Sequence, residues 1–580
     1  MTSKLVDLSK ARNDRANPKT KPSSGTDKII YDDIIGEIAD YYLDEIDPET
    51  TGVPAPPAST IKRELINRTN QRFEMININL KGHDRITRLK TMTPSQISRV
   101  LIRLHHAVTI TAGGLGTNKT YDLIGIYVSE GPNEGIYATG DIQIASIARQ
   151  YNQEITISAI KEVLQAIREK APQVERCTRR ELTVGNNGIF NYDTDEMMPF
   201  TPDLVFTAKL VTPVDATVQS PVYTNPDGTT WEVVEWVNSL SPDPEVVKAL
   251  WQVIGAIVRP HVRWGKTAWF YSENGNNGKG TLCHLMRSIV GEASCASLPL
   301  ADFGKDFMLE PLTQAMAIIV DENDVGIYLD KVANLKAVVT NDVVSINRKG
   351  LVPINYRFWG FMVQCLNEFP QVRDRSQSFY RRQLFIPFTQ NFQGIERRYI
   401  KDDYLQRPEV LKFVLKHVLM DLPKYYELDE PEATKQVLDR YKEANDPVRE
   451  FWNEHESVFT WDLLPFVFLY DHYKSWFSKN NPSGKVLGKY KFTDNLIQVV
   501  GDSSIWYCQD KTQAVRTGDK MLNAEYLIQQ YELNDWKAKD YGGKDIRRMC
   551  TPSPALNYRG LQRYLAGSAN PTSDHDSDEQ

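Results

Sequence analysis

Little in this chain of 580 residues points to a membrane, a metal or an oxidising compartment. Its six cysteines (Cys177, Cys283, Cys295, Cys365, Cys508 and Cys550) are scattered, with no CxxC pair and no Cys/His cluster at zinc spacing. That excludes a structural zinc site and fits a reducing cytoplasm. His83, His105 and His106 have no metal-spaced partners and read as structural. No window offers the ~20 continuous apolar residues of a membrane helix, so no membrane partner is expected. Residues 1–22 are polar and lack the apolar core of a signal peptide. An excess of positive charge is missing too. With a net charge of -7, contact with a polyanion has to come from local patches or a channel. There is no internal repeat and no heptad array.

What is present is ordinary globular material, 41% hydrophobic and 25% charged, in a chain too long for one core. Residues 1–28 and the acidic residues 566–580 read as disordered tails. Residues 29–172 mix helical patterns, such as Ser95 to Leu104, with short strands, such as Leu123 to Val128, and read as an α/β domain. Residues 173–262 read as an adaptor, opening on strand-and-turn punctuation and closing on the apolar periodic run Glu245 to Val258. Across residues 263–395, short β-rich apolar runs alternate with helical stretches, the pattern of an open α/β sheet covered by helices. Residues 396–565 read as a mainly helical domain. Within it, Leu463 to Lys479 and Tyr490 to Val500, followed by a hairpin from Ser504 to Arg516, suggest a winged-helix module.

The chemical signals concentrate in the α/β segment. Thr267-Ala-Trp-Phe-Tyr271 is a strand by composition, followed by the turn Asn274-Gly-Asn-Asn-Gly-Lys-Gly-Thr281 and a helical run to Val290. Gly275, Asn277, Gly278 and Gly280 permit a backbone curl whose N–H groups face a phosphate at a helix N-terminus, and Lys279 supplies the cation. The strict phosphate-loop pattern asks for Gly where Glu273 stands and for a hydroxyl where Gly280 stands. The hydroxyl for Mg2+ then falls to Thr281. Downstream, the continuous apolar run Ala315 to Val320 ends in Asp321 and Glu322, expected to hold magnesium and to polarise a water. A third apolar run, Gly360 to Leu366, ends in Asn367, a candidate γ-phosphate sensor. Arg381 and Arg382 precede another strand and are candidates to stabilise a transferring phosphoryl group from a neighbouring subunit.

Taken together, Asn277 to Thr281, Val320 to Asn323, Leu366 to Pro370 with Asp374, and Arg381-Arg382 before Ile386-Pro-Phe388 resemble superfamily 3 helicases. The resemblance is to the phage and plasmid primase-helicase group related to the poxvirus helicase-primase. It extends upstream to Asn186 to Asn191 and Pro199 to Asp203, and downstream to residues 439–476. It implies an AAA+-like ATPase core, ATP and Mg2+ as cofactors, a homohexameric ring and movement along single-stranded DNA. Forked DNA, origin duplex and other replication proteins are further implied partners, in a bacterial host cytoplasm.

In that family a hairpin before the sensor strand holds DNA in the channel. Val343 to Tyr356 reads independently as strand, Asn347-Arg-Lys-Gly350 turn, strand, which assigns Arg348 and Lys349 to phosphate contacts and leaves Lys336 a weaker candidate. A solvated hairpin tip is the plain alternative. Lys485, Lys489, Lys491 and Lys511 would serve a DNA-binding wing module, or simply coat a docking domain.

Two further signals are set aside. Asp193-Thr-Asp195 has two-metal spacing but sits in a polar turn without a third carboxylate, and Gly113-Gly-Leu-Gly-Thr-Asn-Lys119 reads as a hairpin because no long helix follows it. The leading expectation is a replicative helicase or initiator. A bifunctional primase-helicase and a nucleotide-switched DNA-binding factor without unwinding stay open beside it.

Overall fold

The computed structural model describes residues 25–480, 486–501 and 503–564, and the chain divides into two compact units between Lys435 and Gln436. The expected tails lie outside the described residues up to residue 24 and beyond residue 564, as does Lys485. The remainder of the expected N-terminal tail begins a helix, Gly25–Ile46. No helix among the described residues is long and apolar enough to cross a membrane.

The first unit opens with helices packed on a small sheet. Pro94–Leu104 shows why such segments are helical. Thr93 and Gln96 form a capping box, Pro94 starts the first turn, and Ile97, Val100 and Leu101 fall on one buried stripe. The sheet runs in the order Tyr137–Ala138, Leu123–Tyr127, Val108–Thr111, Gln173–Glu175, with only the last pair parallel. Because Val108–Thr111 and Leu123–Tyr127 pair antiparallel, the glycine-rich loop at 113–119 is a hairpin connection, as its sequence suggests.

The adaptor supplies a three-stranded antiparallel sheet, Leu182–Gly185, Gly188–Asn191 and Glu196–Met198, and the helix Pro244–Val258. Asp243 caps that helix through the Glu245 N–H. Every residue from Ala249 to Val258 is buried, since the helix lies inside the same core as the central sheet.

That sheet contains β1 (Thr267–Tyr271), β2 (Cys295–Ala296), β3 (Ala317–Val320), β4 (Phe361–Leu366) and β5 (Gln383–Pro387), all parallel, in the order β2-β3-β4-β1-β5. Strands β1, β3 and β4 are buried at every position, which explains their unbroken apolar sequences. Helix α1 (Lys279–Val290) follows β1. Between β3 and β4 an antiparallel hairpin, Val343–Ile346 with Ile354–Arg357, stands apart from the sheet, its residues alternating exposed and buried.

Two expectations need correction. The boundary placed at 395/396 falls instead at 435/436. Tyr404, Leu405, Val410, Phe413 and Val414 are buried in the core around β1 and α1, so residues 396–435 belong to the first unit. The hairpin expected from Ser504 to Arg516 is absent. Trp506–Tyr507 pairs with Gly560–Arg563, and Val515–Arg516 pairs with Asn557–Tyr558, so both strands find partners distant in sequence.

The second unit is held by aromatic packing: Trp452, Trp461, Trp476, Trp506 and Phe451 are all buried. Its order is helix Pro447–His455, strand Leu463–Pro465, helix Phe466–Asn480, helix Lys489–Val500, strand Trp506–Tyr507, then strand Gly560–Arg563 after a long connection. The last strand lies between the other two, antiparallel to both.

Candidate functional site

The loop between β1 and α1 is built as its sequence requires. Gly278 has φ 89° and caps α1, and Asn276 also lies at positive φ. A Cβ on Gly278 would come within 2.6 Å of the end of the Leu240 side chain, which would have to shift, so the backbone conformation is the firmer reason for glycine there. Asn277 ties the loop to itself, donating from its side chain to the Asn274 carbonyl. Around Gly280, where the strict pattern puts a hydroxyl, an added Cβ would meet nothing within 4 Å. Glu273, where that pattern puts glycine, is exposed and accepts a hydrogen bond from the Tyr271 hydroxyl at 3.0 Å.

Lys279 opens α1 and is only 6% exposed. Its ammonium donates to the Ser272 carbonyl at 3.2 Å and to Asn367 Oδ1 at 2.9 Å. Both acceptors are neutral, and among the described residues the lysine makes no ion pair. Burial therefore lowers its pKa from the usual lysine value. A cation held at a helix N-terminus by neutral acceptors alone fits an incoming anion.

Strand register brings the other candidates to the same end of the sheet. Tyr271 of β1 is level with Leu366 of β4, and Val320 of β3 with Gln364, so Lys279, Asp321, Glu322 and Asn367 all follow strand carboxyl ends. The Lys279–Asn367 hydrogen bond joins two of them directly. Asp321 faces Arg287 of α1, 3.7 Å from its guanidinium, which also donates to the Ile319 carbonyl. Glu322 is exposed. Thr281 is half-buried in the first turn of α1, where a hydroxyl can reach a cation beside phosphates.

Two residues to which the sequence assigned no role of their own lie at this end. Buried Asn323 accepts from the Leu300 N–H and donates to Gln364 Oε1 at 2.9 Å and to the Cys365 carbonyl at 3.1 Å, locking the turn after β3 onto β4. Arg287 places its guanidinium 3.7 Å from Asp321. Its signal in sequence was only a cation two turns beyond Lys279 on the same helix.

The arginine pair is not brought to this end. Thr267 at the start of β1 is level with Gln383 at the start of β5, and the Thr267 N–H donates to the Arg382 carbonyl at 2.8 Å. Arg381 and Arg382 therefore flank the opposite end of the sheet, about 13 Å of strand away from the loop. Arg381 is exposed, and Arg382 is half-buried with its guanidinium bonded to Ser378 Oγ at 2.9 Å.

At the hairpin tip, Arg348 folds back onto the Val352 carbonyl at 3.0 Å while Lys349 is exposed. Arg348 also stands near Arg168 of the helix Ile157–Lys170: the Arg168 pKa is lowered first by burial and then by Arg348. Lys336 is taken by an ion pair with Asp374 at 2.6 Å. Lys511 pairs with Asp494 at 2.6 Å on the helix Lys489–Val500 rather than capping a hairpin tip.

The signals set aside in sequence have structural partners. The Tyr426 hydroxyl donates to Asp193, and Lys424 pairs with Asp195. Among the described residues no group of three or more His, Cys, Asp or Glu could hold a metal. His105 contacts the Tyr151 hydroxyl at 2.8 Å, and burial pushes its pKa down to about 4.

Comparisons with known proteins follow this division. Residues 270–382 match the family described as "Family of unknown function (DUF5906)", a span that opens in β1 and closes at Arg382. Residues 443–537, within the second unit, match the family described as "Poxvirus D5 protein-like". No curated protein matches the chain. Among solved structures, it is similar to "The apo structure of NrS-1 C terminal region (305-718)", at 14% identity over 70% of this chain and 87% of that one, with a TM-score of 0.39. It is also similar to "The A form apo structure of NrS-1 C terminal region-CTR", at 13% identity over 76% and 91%, with a TM-score of 0.36.

Proposed function

We propose that the chain is an ATP-driven replicative DNA helicase of the superfamily 3 kind, working as a ring of identical subunits on single-stranded DNA. The observation that carries this reading is the buried ammonium of Lys279, held at the N-terminus of α1 by two neutral acceptors, one of them Asn367. Bound phosphates would give that ammonium anionic partners and offset the cost of its burial. The parallel sheet, with the loop at its carboxyl end, supports a nucleotide site, and the poxvirus D5-like match in the second unit supports a replication role.

The residues divide the work. Gly275, Asn277, Gly278 and Gly280 shape the loop around the phosphates, and Lys279 takes the β- and γ-phosphate charge. Thr281 and Asp321 would hold Mg2+, whose bound charge offsets that of the triphosphate, with Arg287 keeping Asp321 in place. Glu322 orients the attacking water and accepts its proton, and Asn367 passes from Lys279 to the γ-phosphate. Arg381 and Arg382, at the far end of the sheet, complete the site of a neighbouring copy. Arg348 and Lys349 at the hairpin tip hold the strand by its phosphates, independent of base. In the second unit, the helix-strand-helix-helix-strand-strand order with the last strand central supports the reading as a winged helix with an enlarged wing.

The test is hydrolysis and strand displacement by the whole chain on forked DNA. Lys279→Ala should lose both nucleotide binding and turnover, while Glu322→Gln should bind nucleotide and lose turnover by roughly 10²–10⁴-fold. Near-normal hydrolysis in either variant would remove the site assignment. Hydrolysis without strand displacement by the unaltered chain would favour a nucleotide-switched DNA-binding factor.

A further inference from the structure

A cleft of about 550 Å³ opens where the root of the hairpin meets the N-terminal sheet, beside the glycine-rich turn at Gly113 and Gly114. Three guanidiniums, those of Arg176, Arg263 and Arg357, line it against one carboxylate, Glu175. None of the three arginines makes an ion pair among the described residues. Arg176 is aimed by hydrogen bonds to the Tyr356 hydroxyl at 2.6 Å and the Arg357 carbonyl at 3.4 Å, and Arg357 by one to the Asn341 carbonyl at 2.6 Å. Arg176 Nε is buried and makes no hydrogen bond. Arg263 is exposed and lies over the ring of buried Trp359, 5.3 Å from its centre. Three cations against a single carboxylate, one of them with a buried donor unused, leave an excess of positive charge that an anion would offset. Ile110 and Leu123 give the cleft an apolar wall.

We propose that this cleft is a second phosphate-binding site, taking nucleotide phosphate that comes either from a single strand passing the hairpin or from a free nucleotide. Planar, forked guanidiniums suit phosphate oxygens, and the apolar wall suits the base or sugar attached to them. The site rests on the reading of the hairpin as a strand-holding element only for the route by which a strand would arrive. The glycines on its rim leave it open: an added Cβ at Gly114 would meet nothing within 4 Å.

The experiment uses the full chain carrying Lys279→Ala, so that the loop after β1 no longer contributes nucleotide binding. Fluorescence anisotropy is measured with a labelled oligothymidylate and, separately, with a labelled adenosine triphosphate. Arg263→Glu should weaken one or both probes by about tenfold or more and lower the salt slope of oligonucleotide binding by about one, while Arg263→Lys retains most of the affinity. Loss confined to the oligonucleotide identifies a strand as the source, and loss confined to the triphosphate a free nucleotide. Affinities within twofold for both probes in Arg263→Glu would overturn the proposal. A parallel Arg348→Ala, Lys349→Ala chain keeps the two readings apart. If it binds normally while Arg263→Glu does not, the cleft stands and the hairpin tip is wrong.

Discussion

The two ends of the central sheet differ in kind. At the carboxyl ends of β1, β3 and β4 the chain gathers a buried lysine, two acidic residues and an amide, tied together by the Lys279–Asn367 and Asn323–Gln364 hydrogen bonds. At the amino ends of β1 and β5 it places Arg381 and Arg382, their backbone carbonyls held by Lys266 and Thr267. A parallel sheet makes this separation unavoidable, because register keeps every strand start on one side and every strand end on the other. On the proposed reading, these are two half-sites of one chain facing opposite ways. Guanidinium help at the phosphates would then come from a second copy, in keeping with the proposed ring.

The largest effect that would sharpen this comparison comes from the arginine end. Arg381→Ala with Arg382→Ala should lower ATP hydrolysis by roughly 10³-fold or more while leaving nucleotide affinity near normal, since neither residue reaches its own loop. A matching fall in affinity would place the arginines within their own chain's site. Next comes the hairpin. Arg348→Ala with Lys349→Ala should spare basal hydrolysis, remove its stimulation by single-stranded DNA and reduce the salt slope of DNA binding by about two. Persistent unwinding would take the hairpin out of the DNA path.

A smaller effect is expected in pH. The folded-state pKa of Lys279 lies below its unfolded value of 10.5 because burial disfavours the ammonium. The charged lysine therefore costs stability at any pH below both values. The cost is relieved as pH rises from the lowered pKa towards 10.5, where the folded state releases its proton before the unfolded chain does. Nucleotide affinity should run the other way, greatest where the lysine is charged and falling as pH rises through the lowered value. Titration of affinity against pH checks this, with Lys279→Met expected to melt no lower than the unaltered chain and to lose the pH dependence.

How much of this was legible in the sequence depends on range. β1, β3 and β4 could be read because strands buried on both faces are apolar throughout, and the loop at 274–281 because its glycines, asparagines and lysine carry the chemistry locally. The hairpin at 343–357 was legible for the same reason, its turn residues lying between two short strands. What failed was non-local. The strand at Trp506–Tyr507 has a turn signal after it, yet pairs with residues near 562 because its tryptophan is buried in a core assembled from distant segments. The boundary at 395/396 ignored Tyr404, Val410 and Phe413, which look like any helix's apolar stripe until the surface they cover is known. The pairing of Arg287 with Asp321 and the arginine-lined cleft join residues whose sequence neighbours give no hint of either.

The most direct test of two half-sites facing opposite ways is a mixing experiment. Lys279→Ala chains keep the arginine end intact, and Arg381→Ala, Arg382→Ala chains keep the loop intact. Each preparation alone should be inactive in ATP hydrolysis. If the site is completed between copies, mixing the two under conditions that allow subunits to exchange should restore hydrolysis, because some interfaces then join an intact loop to an intact arginine pair. Hydrolysis in the mixture no greater than the sum of the separate preparations, with exchange verified by labelled chains, would contradict the account.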